Sequence, residues 1–285
     1  MYQTPAFDPF RFLDGSRNGG ALHATRVEAR ARLRFGVAQA LVQGRLGFHY
    51  QPVVRREAQH SPAFFEMLAR LTLPDGQILS AGAFLPAVEE GELGRAIDRL
   101  ALTRALRALA ASPSLRLAVN VSPRSMGDEE WLGILGAAHR GGTGVCDRLI
   151  LEITEDDALR DAELTQDFLD HVRRLGPALA LDDFGAGATG FRHFRSFRFD
   201  IVKIDGAFVN GVHRDRDAQA LVRCLATLAG HFEMLTVAER VETRADADWL
   251  AGAGIDCLQG YLIGRPSPVA EMPPVAGAGG IAAAG

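Results

Sequence analysis

The chain is 285 residues long, with 31 Lys+Arg against 35 Asp+Glu, a formal charge of −4, 47% hydrophobic and 23% charged residues. This is ordinary globular composition, long enough for a large core, and its mildly acidic balance gives no electrostatic reason to expect a genomic nucleic-acid partner. No apolar run approaches the ~18 to 20 residues of a membrane helix, and the first 25 residues lack the apolar stretch of a secretory signal. Cys146, Cys224 and Cys257 are too widely spaced for a zinc finger or disulfide framework, so a reducing cytoplasm is the expected location.

Residues 14–20 (DGSRNGG) and 273–285 (PPVAGAGGIAAAG) have little to bury, so 1–29 and 271–285 read as flexible tails around one domain at 30–270. RVEARARLR (26–34) looks like a charged helix leading into that domain. Eight β-like runs follow: 48–54, 64–71, 115–122, 148–155, 177–185, 199–206, 234–241 and 257–264. Helical patterns fill the gaps at 84–111, 128–140, 158–175, 217–231 and 244–253, the last with Thr243 as its N-cap. Eight strands alternating with helices predict an α/β fold, a closed (β/α)8 TIM-like barrel. Only nine residues separate Val54 from Phe64, fewer than a parallel crossover needs, so the first strand should run antiparallel to the second.

Strands buried on both faces should be almost wholly apolar, yet each of these carries polar residues in its second half. They are Gln51, Glu66, Asn120, Glu152, Asp182 with Asp183, Lys203 with Asp205, Glu239 with Glu242, and Gln259. The carboxyl ends of parallel barrel strands meet at one rim, so these residues describe one constellation. Five or more carboxylates around a mouth repel one another unless cations sit among them. All-oxygen ligands suit Mg²⁺ or Mn²⁺ rather than zinc. The adjacent pair Asp182 and Asp183 allows one carboxylate to bridge two ions while its neighbour serves the second, a clamp suited to in-line phosphoryl displacement. Lys203 in the same ring would favour a deprotonated attacking water or screen phosphate charge, which reads as phosphodiester hydrolysis. Other features have plainer explanations. His49 reads as a hydrogen-bonded barrel residue, and the three-residue spacing of Phe191, Phe194 and Phe197 suits a short helix burying one face.

Over residues 33–268 the chain resembles the EAL-domain family of cyclic di-GMP phosphodiesterases. The motifs that carry the resemblance are YQPV (50–53), EML with Ala69 and Arg70 (66–70), FLPAVEE (84–90), NVS (120–122), LEITE (151–155), DDFGAG (182–187), VKIDGAFV (202–209), AERVET (238–243) and QGYLIGRP (259–266). The resemblance implies hydrolysis of cyclic di-GMP to linear pGpG in second-messenger signalling, with two Mg²⁺ or Mn²⁺ ions. It assigns Glu66, Asn120, Glu152 and Asp182 to one ion, and Asp182, Asp183 and Glu239 to the other. Lys203 would orient or activate the water, Gln259 would position substrate and water, Arg70 would meet a substrate phosphate, and Gln51 would contact the nucleotide. Glu155, Asp205 and Glu242 would support the site from behind. The resemblance also allows a homodimer.

The sequence departs from the family at three places. Met67 replaces the central alanine of the signature, and alternation turns it away from the face of Glu66. Arg240 stands where the family has glycine. In the loop DDFGAGATGF (182–191), Ala186, Ala188 and Gly190 lack side chains that order the family's loop, so modest turnover is expected. A receptor that binds cyclic di-GMP with little or no turnover is the alternative reading, and a different magnesium-dependent barrel enzyme using Lys203 as base is a more distant one.

Overall fold

A computed structural model of the chain describes residues 19–89, 91–185 and 197–272. Its strands are β1 (Leu46–Arg55), β2 (Ala58–Thr72), β3 (Ile78–Ser80), β4 (Leu117–Asn120), β5 (Leu149–Thr154), β6 (Ala178–Phe184), β7 (Ile201–Ile204), β8 (Leu235–Ala238) and β9 (Cys257–Gln259). All except β3 close into an eight-stranded barrel, with β1 pairing both β2 and β9. β1 is antiparallel to both of these neighbours, and the remaining barrel pairs are parallel. The connection between β1 and β2 is too short to cross the barrel, so the chain reverses in a tight turn. β3 extends β2 outside the barrel; its three residues are too few to show a strand period in the sequence.

The helices are α1 (Gly19–Val42), α2 (Ala81–Val88), α3 (Glu92–Ala111), α4 (Pro123–Met126), α5 (Glu129–Arg140), α6 (Glu155–Arg160), α7 (Ala162–Arg173), α8 (Gly206–Val209), α9 (Arg216–His231) and α10 (Arg244–Gly252). Side chains cap several N-termini: Asp128 for α5, Asp161 for α7, Asp215 for α9 and Thr243 for α10. Each satisfies backbone N–H groups that have no partner within the helix. Three expectations are corrected. Residues 19–29, expected in a tail, form the start of α1, because Ala, Leu, Arg and Glu dominate this stretch and favour helix; further along, α1 buries Val37 and Ala40 against Leu71, Phe84 and Ile97. The helix expected over 84–111 is two helices, separated where Gly91 is extended (φ −128°, ψ −174°). The following turn needs Gly94, since a Cβ there would lie 2.6 Å from Glu89 O. The helix expected over 158–175 begins earlier, at Glu155, and is interrupted at Asp161, whose side chain caps α7. The expectations for Ala186, Ala188 and Gly190 and for most of 191–199 fall on residues outside those described.

Among the described residues, no helix is long and apolar enough to cross a membrane. The three cysteines are unpaired. Outward strand faces and the helices share the main core, which includes Trp131, Leu149, Leu151 and Phe168. Inside the barrel lies a separate apolar layer to which each barrel strand contributes one residue: Val53, Phe64, Ala118, Ile150, Ala180, Ile201, Val237 and Cys257. This layer is the floor on which the polar residues stand.

The segment after β9 is locked to the one after β8. Val241 N donates to Gln259 O at 2.9 Å, and Leu262 N donates to Val241 O at 3.1 Å. Gly260 (φ 156°) passes so close to Val241 that a Cβ would overlap its backbone N and O. Gly260→Ala should therefore cost at least ~2 kcal/mol in urea unfolding. A loss below ~0.5 kcal/mol would show that these two segments are not locked together as described.

Candidate active site

A strand presents every second residue to one face. Two positions along from each member of the apolar floor stand Gln51, Glu66, Asn120, Glu152, Asp182, Lys203, Glu239 and Gln259. In the seven parallel-running strands the polar residue follows the apolar one; in antiparallel β1, Gln51 precedes Val53. Reversing β1 thus brings its polar residue to the same rim, where Gln51 is the register partner of Glu66.

Lys203 is the hub of the ring. Its side chain is 0% exposed, and its Nζ lies 2.8 Å from Glu239 Oε1, 2.9 Å from Asp182 Oδ1, 3.3 Å from Glu152 Oε1 and 3.4 Å from Glu66 Oε2. Burial alone would depress its pKa, but the fields of Asp182, Glu152, Glu239 and Glu66 outweigh it and hold the ammonium well above the ordinary lysine value. The carboxyls around Lys203 thus favour its ammonium form. The carboxyls respond oppositely. Burial, reinforced by Glu66, Asp182 and Glu239 against the pull of Lys203, raises Glu152 well above its usual range. Glu239 is pushed up to about 8 by burial and by Asp182 and Glu66, with Lys203 opposing.

Amides link the ring. Gln259 Nε2 donates to Glu66 Oε2 at 2.6 Å and approaches Gln51 Oε1 at 3.4 Å, while Gln51 Nε2 donates to Gly264 O at 3.1 Å. Asn120 is exposed, yet its Nδ2 reaches Glu66 Oε1 at 3.2 Å. Arg70 is half-buried beside this group; burial lowers its pKa, and Tyr261 and Glu66 act in the opposite sense.

Strict alternation would send Asp182 and Asp183 to opposite faces. Instead β6 bulges: Leu181 pairs with Val202 and Phe184 with Ile204, so two acids stand opposite Lys203. Asp183 takes the left-handed conformation this requires (φ 53°). Burial, Asp182 and Asp205 raise its pKa. Behind it, Glu155 Oε2 accepts from Gly185 N at 2.9 Å and holds the exit from β6. Asp205 Oδ1 accepts from Ala207 N at 2.9 Å, capping α8. Glu242 is exposed on the segment after β8.

Sequence reasoning missed Asp98 on α3. Its Oδ2 accepts from Ser125 Oγ at 2.7 Å and from Ser122 N at 3.1 Å, anchoring the segment that follows Asn120. Burial raises its pKa despite these donors. The available signal was an acid set between Ile97 and Ala101 on the apolar face of the helix.

Among the described residues the carboxylates form two clusters, each with oxygens mutually within 4.8 Å: Glu66, Glu152 and Asp182, and Asp182, Asp183 and Glu239. Asp182 belongs to both. Both Glu152 oxygens and Asp182 Oδ1 are buried without a hydrogen-bond partner; Lys203 is close, but outside hydrogen-bonding geometry. Hard carboxyl oxygens without a hydrogen bond around a shared carboxylate fit small divalent cations.

Residues 36–266 match the family model described as EAL domain. The cyclic di-GMP phosphodiesterase PdeB of Shewanella oneidensis is 32% identical over 239 residues, covering 82% of this chain and 28% of that protein. The solved PaMucR phosphodiesterase in complex with c-di-GMP is similar at 30% identity and a TM-score of 0.76, over 84% of this chain and 98% of that one. The EAL domain of Xanthomonas citri FimX, also in complex with c-diGMP, is similar at 26% identity and a TM-score of 0.77, over 86% and 97% of the two chains. The chain spans 28 to 52% of the length of eight curated relatives it matches.

The raised carboxyl pKa values have a thermodynamic consequence. Glu239 binds a proton up to about 8 in the folded chain, against 4.5 ordinarily. Its contribution to stability is therefore full below ~4.5 and lost as pH rises through ~8; Glu152 and Asp183 act in the same sense. The contribution of Lys203 is constant in this window, because its pKa is raised from 10.5. In chelator, stability to urea should fall between pH 5 and 8.5 by on the order of 1 kcal/mol or more, and Glu239→Gln should flatten the slope. A profile that rises with pH would contradict the protonation assigned to the ring.

Proposed function

The chain belongs to the EAL domain family, and from that membership and the geometry of the ring we propose that it hydrolyses cyclic di-GMP to linear pGpG with two bound Mg²⁺ or Mn²⁺ ions. The observation that carries this reading is the sharing of Asp182 between two acidic clusters. One ion would take Glu66, Asn120, Glu152 and Asp182; the other would take Asp182, Asp183 and Glu239. Bound there, the pair supplies Lewis-acid charge for displacement at phosphorus.

This chain's side chains supply the rest. In the reaction, water adds to phosphorus, the P–O3′ bond breaks, and the 3′-oxygen leaves as an alcohol after taking up a proton. Lys203 stands at the centre as a fixed ammonium, suited to orient the water and stabilise charge on the phosphoryl oxygens. Gln259 is held through Nε2 by Glu66, and its Oε1 is buried without a partner, an acceptor placed for the water's O–H. Arg70, at the end of β2 nearest the ring, has the fork geometry to bind a phosphate. Tyr261 is half-exposed next to Gly260, with Arg265 4.1 Å from its ring centroid, a surface on which a planar base can stack. Unpaired cysteines suit a cytoplasmic setting.

The second reading, a receptor with little turnover, draws on the FimX EAL domain solved with c-diGMP. Product analysis separates the two. Incubation with cyclic di-GMP and Mn²⁺ should yield pGpG, and excess chelator should abolish it. Ca²⁺ should inhibit, because its ~2.3 to 2.6 Å bonds disfavour a tight two-ion clamp. Glu66→Gln and Lys203→Ala should each lower kcat at least ~100-fold, with a smaller change in nucleotide affinity for the lysine variant. Saturable binding without product would establish the receptor reading, and full activity in chelator would sink the two-ion one.

A further inference from the structure

The roles assigned above leave Arg240 unused, although it directly follows Glu239. Its backbone is left-handed (φ 51°), a conformation in which a side chain is penalised and glycine is not. Its stem occupies the space over Gly206, where a Cβ would come within 2.8 Å of Arg240 Cβ and Cγ. Its guanidinium lies 3.8 Å from Asp205 Oδ2, a long ion pair, and the side chain is 65% exposed. A guanidinium carries five donors in a planar fork, and at this exposure most of that hydrogen-bonding capacity faces solvent. Asp183 is also within its electrostatic reach. Arg240 is thus a strained residue, seated in a cleared space, bringing positive charge to the side of the rim where Asp182, Asp183 and Asp205 concentrate negative charge.

A cyclic dinucleotide carries two phosphodiesters. While one meets the ring, the other remains an anion that these carboxylates would repel. We propose that Arg240 binds the phosphate that is not cleaved, on the Asp183 side of the mouth. This rests on the cyclic-dinucleotide reading of the site and adds to it a residue that selects substrates with two phosphates.

The test compares cyclic di-GMP with bis(p-nitrophenyl) phosphate, which has a single phosphodiester, in Mn²⁺. Arg240→Gln keeps the length of the side chain and removes its charge. It should raise KM for cyclic di-GMP about 5- to 20-fold with kcat within ~3-fold, so the ratio of kcat/KM values for the two substrates falls at least ~5-fold. Arg240→Lys should lie between the two, and the salt dependence of KM should weaken in the Gln variant. Arg240→Gly should lose the same selectivity while melting no lower than the wild type, which separates binding from folding. An unchanged ratio, or equal losses on both substrates, would overturn the proposal. If the wild type does not cleave cyclic di-GMP, whether or not it cleaves the small substrate, the proposed hydrolysis of cyclic di-GMP has failed independently, and cyclic di-GMP affinity measured by calorimetry in Ca²⁺ decides for Arg240. There Arg240→Gln should bind at least ~5-fold more weakly; equal affinities, or no wild-type binding, would overturn it.

Discussion

A buried ammonium permits the rest of the ring. Four carboxylates gathered around one point in a low-dielectric interior repel one another and lose hydration, and each would take up a proton or move apart. Lys203, wholly buried on β7, lies within 3.4 Å of all four. It offsets part of their repulsion but leaves four acids facing one cation, and three buried carboxylate oxygens on Glu152 and Asp182 without a hydrogen bond. A ring that is undercharged by its own lysine is a ring prepared for added cations. This deficit, more than any single acid, sets the ring apart from a satisfied salt-bridge network, in which every oxygen would already be matched, and makes it one that could hold metal.

The barrel supplies this ring through the strand period. An apolar layer with one side chain per barrel strand excludes water from below, and the next inward position on every strand is polar. Because the two layers share one face, a one-residue slip in any strand would put its rim residue against the outer core and an outward-facing residue in the mouth. The chemistry therefore depends on register. Val53 opposite Gln259, Asn120 opposite Glu152 and Lys203 opposite Val237 are the pairings that fix it.

This layering was legible in the sequence. Lone polar residues in the later halves of otherwise apolar strands marked the rim, and the short link after Val54 gave the reversed first strand. The features that were not legible depend on tertiary neighbours. β3 is too short to carry a period. The break between α2 and α3 follows from close packing at Gly94, which the helical pattern on either side conceals. An acid beside Ile97 on the apolar face of a helix marks Asp98 as unusual, but only the placement of Ser122 and Ser125 against it reveals an anchor. Adjacency suggested that Asp182 and Asp183 serve one site, but the bulge that makes this sterically feasible has no local signature, because neither residue is a glycine.

Asp183 and Arg240 are both non-glycine residues held in left-handed conformations, and each adjoins another candidate ligand, Asp182 and Glu239 respectively. Such strain costs ~1 to 3 kcal/mol per residue and persists only where surrounding structure over-determines the backbone. The surroundings show how. Gly185, just after Asp183, approaches the Phe208 ring too closely for any Cβ and is held by Glu155 through its N–H. Gly206 makes space for Arg240, and Val241 beyond it is tied to Gln259 and Leu262. Glycines thus do not occupy the strained positions; they stand beside them and let the neighbouring chain come close enough to enforce the strain. The rim consequently presents side chains where glycine would be conformationally easier, a carboxylate at 183 and a guanidinium at 240, and the stability for doing so is drawn from the packed layers beneath.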